Sequence, residues 1–170
     1  GGRQLKYDEQ TKSAVTPLMK NSAAAFFAAG RAVALSELGL PAAVALKDMP
    51  SMRPWKARRI MSKPAVAPAA PENPERELLP WLTGGAAMLH GCGGIDRKLG
   101  AAMLVETAPV LAAIALASSE DRAKQILAKI DARAWVIITS RWPAIERIAA
   151  ALLKRRALIA DDVAALLGEQ

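Results

Sequence analysis

The residues best able to do close-range chemistry fall in one short stretch: His90, Cys92 and Asp96. His90 and Cys92 are the single histidine and the single cysteine of the 170 residues. An imidazole against a thiol makes a nucleophile, and the same residue types bind metal. The spacing supports neither reading. Two positions apart in the glycine-rich link Gly91-Cys92-Gly93-Gly94, His90 and Cys92 are not held in catalytic geometry. Nor does the spacing to Asp96 match a strong metal-ligand pattern. The same glycines lack the Lys-Ser/Thr ending and preceding strand of a phosphate loop, so they read as a flexible linkage.

A second constellation is basic. Met49 to Asn73 holds Pro50, Pro54, Pro64, Pro68 and Pro71, with Trp55 set among Arg53, Lys56, Arg58 and Arg59. Such a run predicts an extended surface loop with polyproline character. Cations beside an aromatic can hold phosphates while the ring stacks on a base. They can equally grip an acidic protein with Trp55 as anchor, or simply be solvated. Lys154-Arg155-Arg156 lies near a predicted helix C-terminus, where positive charge complements the helix dipole without any ligand.

The elements that must position these residues are mostly helical. Hydrophobic residues are 52% of the chain and aromatics only 4%, which favours helices packed through small side chains. The length suits one domain with a real core. Formal net charge is +7, compatible with nucleic acid, an anionic surface or an acidic partner. A lone cysteine excludes an intramolecular disulfide and fits a reducing, cytoplasmic location. No signal-peptide pattern is visible. The apolar run from Ala101 to Ala117 is interrupted by Glu106, Thr107 and Pro109, so no membrane span is expected.

Residues 1–21 read as a polar N-terminal extension to a domain over 22–170. Ser22 caps a predicted helix that Gly39 and Pro41 stop. Pro41 to Lys47 reads as a small strand. Pro74 to Leu89 reads as a helix kinked or split at Pro80, and Ile95 to Ala117 as another, broken before Pro109. Ser118 or Ser119 caps a helix running to about Thr139, and Ser140 caps one beginning near Trp142. A turn over Arg155 to Ala160 and a helix from Asp161 to Leu167 complete the chain. Trp135 and Trp142 read as core or staple residues.

The centre of the first helix is Ala25-Phe26-Phe27-Ala28-Ala29-Gly30-Arg31-Ala32-Val33-Ala34. It resembles the His-Glu-Ala-Gly-His-Ala-Val helix of the FtsH-type zinc peptidases with its chemistry removed. Leu78-Leu79-Pro80-Trp81-Leu82-Thr83-Gly84-Gly85-Ala86-Ala87 resembles that family's helix ending in Gly-Gly-Arg-Ala-Ala. Gly94-Ile95-Asp96-Arg97-Lys98-Leu99-Gly100 resembles the segment that supplies a third zinc ligand. Arg141 to Ala149, with Leu158-Ile159-Ala160-Asp161-Asp162-Val163, resembles the terminal helix pair of short FtsH-peptidase-like proteins. The likeness covers residues 22–48 and 74–167.

The resemblance implies a degenerate zinc site. Phe27 stands where the first ligand would be, Ala28 at the general base and Arg31 at the second ligand; only Asp96 keeps a ligand type. Phe offers no lone pair, Ala moves no proton, and a guanidinium stays cationic. The resemblance therefore implies a mainly α-helical, FtsH-like metallopeptidase fold without catalysis: a pseudoenzyme with no cofactor. Its expected role is a binding or structural subunit of a protein assembly. The alternative is a basic nucleic-acid-binding accessory protein, phage- or ribosome-associated. If the fold joins Arg31 to Asp96, the two would form an ion pair in the former metal space; otherwise Arg31 reaches solvent.

Overall fold

Alanine and glycine cover helix α1, residues 21–37, on nearly every side, and neighbours close in from all directions. Ala25, Ala28, Ala29, Ala32 and Val33 are fully buried. The computed structural model describes residues 21–46 and 69–168. The helix stops as its sequence predicts. Gly39 takes φ +70°, and the Leu40 N–H donates to the Leu35 carbonyl. That left-handed turn is open to glycine at little cost.

After α1 come β1 (Val44–Ala45), α2 (Pro74–Cys92), α3 (Arg97–Ala117), α4 (Glu120–Arg155), β2 (Ala157–Leu158) and α5 (Ala160–Gly168). The described residues thus form a mainly α-helical domain of five helices and one two-stranded sheet. The strands run antiparallel, Val44 opposite Leu158 and Ala45 opposite Ala157. The strand expected at Pro41 to Lys47 is therefore present but only two residues long. Its partner β2 occupies the segment predicted as a turn.

Helices α1 and α2 cross backbone on backbone. A Cβ added at Gly30 would lie 2.6 Å from the Thr83 carbonyl oxygen and 2.7 Å from Ala87 Cβ. One added at Gly84 would lie 2.9 Å from the Phe27 carbonyl oxygen. Around this crossing, Leu78, Leu79, Ile138, Ile145, Ile148 and Leu152 complete the main core. A smaller cluster joins Ala23 and Phe27 to Met88 and Leu99, with Trp81 and Met103 at its edge.

Thr83 sits at the crossing, fully buried, and its hydroxyl has no hydrogen-bond partner among the described residues. A buried hydroxyl that has left water without a replacement bond is destabilising. Thr83→Val keeps the shape and removes that group. It should raise stability by about 1 kcal/mol in denaturant unfolding. A lowered midpoint with unchanged slope would show that the hydroxyl is bonded after all.

Two sequence expectations about breaks and one about a cap are corrected. Pro80 lies inside a continuous α2, buried, and neither splits it nor ends it. Pro109 likewise lies inside an unbroken α3. As a result α3 runs for 21 residues, long and apolar enough by length and composition to cross a membrane, with 28% of its apolar window buried. It packs against both α2 and α4. The third correction concerns Ser140. Its hydroxyl donates to the Val136 carbonyl at 2.7 Å and caps nothing downstream. The boundary expected between a helix to about Thr139 and one from near Trp142 is nonetheless present: two helical stretches of α4 meet across a kink at Arg141 (φ −116°, ψ 15°), two residues before Pro143. Pro143 lacks the N–H that would bond Thr139, and its ring crowds that carbonyl.

The caps fall on residues whose short oxygens suit them. Asn73, Asp96 and Ser119 accept from the first-turn amides of α2, α3 and α4. At the far end, Asp162 accepts from the Ile159 N–H at 3.2 Å and from Arg155 at 3.1 Å, fixing the α4–α5 corner. Arg147 donates to the Leu166 carbonyl at 3.0 and 3.2 Å and holds α5 against α4.

Candidate functional site

Phe27 and Arg31 lie four residues apart on α1, so both project from one helix face. Both meet the same indole. The Phe27 ring centroid is 5.9 Å from that of Trp81 at an interplanar angle of 47°. The Arg31 guanidinium carbon stands 4.6 Å from the Trp81 ring centroid, over its face. Phe27 is fully buried, and so is Ala28 beside it. Arg31 is half-buried, and its Nε is shielded from solvent with no hydrogen-bond partner among the described residues.

A cation over an indole face is attracted by the ring quadrupole, worth about 1–2 kcal/mol when partly desolvated. Guanidinium is more weakly hydrated than ammonium, which is why an arginine tolerates this position. The arrangement is chemically quiet. None of its groups offers a metal a lone pair.

Asp96 is employed elsewhere. Its Oδ1 accepts from the Lys98 N–H at 2.9 Å and the Leu99 N–H at 3.3 Å, capping α3. Among the described residues it makes no ion pair with Arg31, so the pair conceived for these two positions does not form. Neither does Arg31 simply run out to solvent, since Trp81 holds it. Asp96→Ala should cost about 1 kcal/mol by loss of the cap. Asp96→Asn, which keeps an accepting oxygen, should restore most of that loss in thermal unfolding.

His90 and Cys92 do not work together. The His90 ring packs edge-on against Trp142, centroids 4.4 Å apart and planes 84° apart. Trp142 in turn stacks on Phe26 at 5.3 Å and 8°. This aromatic stack joins the end of α2 to α1 and to the bend in α4, the staple role predicted for Trp142. Burial pushes the Cys92 thiol above the ordinary thiol range, which disfavours the nucleophilic thiolate. The glycine linkage is also firmer than its composition suggests. Gly91 and Cys92 belong to the last turn of α2, and Gly93 caps it at φ +70°.

Trp81 is the residue that sequence reasoning passed over. It stood inside a segment noted for its glycines, and no spacing rule links it to α1. The signal available was a half-apolar arginine on an otherwise apolar helix, which calls for an aromatic or acidic neighbour. Arg53, Trp55, Lys56, Arg58 and Arg59 of the basic loop lie outside the described residues. Among the described residues no three His, Cys, Asp or Glu side chains gather closely enough to hold a metal ion.

Comparisons with protein-family models, with curated proteins and with solved structures found no match to this chain.

Proposed function

We propose that this chain is a non-catalytic binding or structural subunit of a protein assembly, built on a degenerate FtsH-type peptidase scaffold. One observation carries the reading. The helix face that would present a ligand pair in such a peptidase instead packs Phe27 and Arg31 onto Trp81. Those side chains hold helices together, and a helix face used for packing is unavailable for peptide hydrolysis. With catalysis gone, what the scaffold has to offer is surface. Leu116, Val136 and Ile159 are large apolar residues exposed by 72%, 63% and 62%. Together with a net charge of +7, they suit contact with an acidic, partly apolar protein.

Purification from the native source under gentle conditions, with half the sample treated with nuclease, tests this. The expected result is a stoichiometric protein partner that survives nuclease. Nucleic acid in the untreated half with no stable protein would overturn it in favour of an accessory protein bound to phosphates. Binding of that kind weakens steeply with added salt.

A further inference from the structure

The first turn of α2 and the first half of α4 enclose a groove of about 330 Å³. Its residues on α4 are spaced three and four apart, Arg122, Gln125, Ile126, Lys129, Ile130 and Arg133, and so form one stripe along the helix. Its other wall is Asn73, Pro74 and Glu75. None of these residues belongs to the Phe27–Arg31–Trp81 cluster.

The charges in this groove do not cancel. Arg133 is bonded to Glu75, which neutralises both and ties α4 to the start of α2. Arg122 and Lys129 have no ion-pair partner among the described residues. They flank a floor made by half-buried Ile126 and buried Ile130. The Arg122 side chain can fork onto two oxygens of one anion, while Lys129 supplies a point charge seven residues further along the same face. The volume is at the lower end of the range for small-molecule sites.

We infer that this groove binds a small amphiphilic anion, with a phosphate or carboxylate head between Arg122 and Lys129 and a compact apolar body on Ile126 and Ile130. The Arg133–Glu75 ion pair lines the same groove. The inference is independent of the proposed assembly role, since it needs neither a protein partner nor the family resemblance.

Calorimetric titration of the full chain with phenyl phosphate tests it, with benzoate, inorganic phosphate and benzyl alcohol alongside. Phenyl phosphate should bind with a Kd of about 1 mM or tighter. Inorganic phosphate, lacking the apolar body, should bind more weakly. Benzyl alcohol, lacking the charge, should not bind measurably. Benzoate against phenyl phosphate distinguishes a carboxylate source from a phosphate source. The double substitution Arg122→Gln with Lys129→Gln should weaken phenyl phosphate at least about tenfold. All of these side chains are solvent-facing, so the unfolding midpoint without ligand should hold. Gln125→Glu, a single surface change that sets a carboxylate in the groove, should weaken binding similarly. Binding of benzyl alcohol as tight as phenyl phosphate, no heat with phenyl phosphate at about ten times the expected Kd, or affinity unchanged in both variants would each overturn the assignment.

Discussion

Gly30→Leu should abolish cooperative unfolding of this domain, and Gly30→Ala should cost it about 2 kcal/mol. The reason is the backbone contact between α1 and α2. A single methyl at Gly30 already lies 2.6 Å from a main-chain oxygen, which has no rotamer by which to retreat. Alanine gains about 1 kcal/mol of helix propensity over glycine, so its net loss understates the clash. Leucine adds three more carbons in the same direction. The helices must separate, and separation opens the whole core around Val33, Leu79 and Ile138. A domain of this size has about 5–15 kcal/mol of stability to lose. Gly94→Ala is the control. A Cβ there meets nothing within 4 Å, and the midpoint should stay or rise slightly. Denaturant unfolding of the three variants reads the effect. A Gly30→Ala domain as stable as its parent would mean that the helices do not touch at this point.

The second large effect belongs to Phe27. Phe27→Ala should cost about 4 kcal/mol, the usual range for emptying a fully buried aromatic site. The cavity would open between Trp81 and the Gly84 backbone, which the Phe27 ring approaches so closely that a Cβ added at Gly84 would lie 3.1 Å from its carbons. Trp81 is also held by Arg31, so it cannot collapse freely into the gap. Ala28→Glu should be at least as damaging. Ala28 has no exposure, so a glutamate there must push packed neighbours apart and take a carboxylate out of water. Placing there the Glu of the peptidase helix that this segment resembles would thus harm this chain. Denaturant midpoints check both. Small losses would mean that the space beside Ala28 is open and that the helix face is still a site.

Much of the fold was legible because it rests on local chemistry. Gly39 before Pro41, Asp96 before an apolar run and Ser119 before Glu120 each mark a helix boundary by the way a short side chain or a left-handed turn meets unpaired backbone groups. What was missed depends on partners distant in sequence. Strand β2 is two residues long, too short for any period, and exists because Val44 lies opposite Leu158. Pro80 and Pro109 break isolated helices, yet here packing on both sides of α2 and α3 outweighs one lost hydrogen bond. At Pro143 packing yields instead, and the helix bends.

At the candidate site the sequence states the chemistry of each side chain and leaves their arrangement open. That Phe27, Ala28 and Arg31 carry no hydrolytic chemistry follows from the residue types alone. Their destination does not. The Asp96 carboxylate was free in principle to meet Arg31, but two unpaired amides at the head of α3 lie nearer in sequence and claim it first. The groove at Arg122 and Lys129 falls in a stretch that the sequence marks only as a helix running to about Thr139. Nothing in that stretch foretells that Pro74 and Glu75 close over it.

The central claim is that the α1 face at Phe27, Ala28 and Arg31 serves packing and holds no metal. Its most direct test is thermal unfolding of the unaltered protein in excess zinc and in chelator. A ligand that binds the folded state alone raises its stability by mass action, about 2.7 kcal/mol at a hundredfold excess over Kd. For a domain of this length that corresponds to a rise of about 5 °C or more. The account predicts the same midpoint in zinc and in chelator. A zinc-dependent rise of that size, lost in Asp96→Asn, would contradict it.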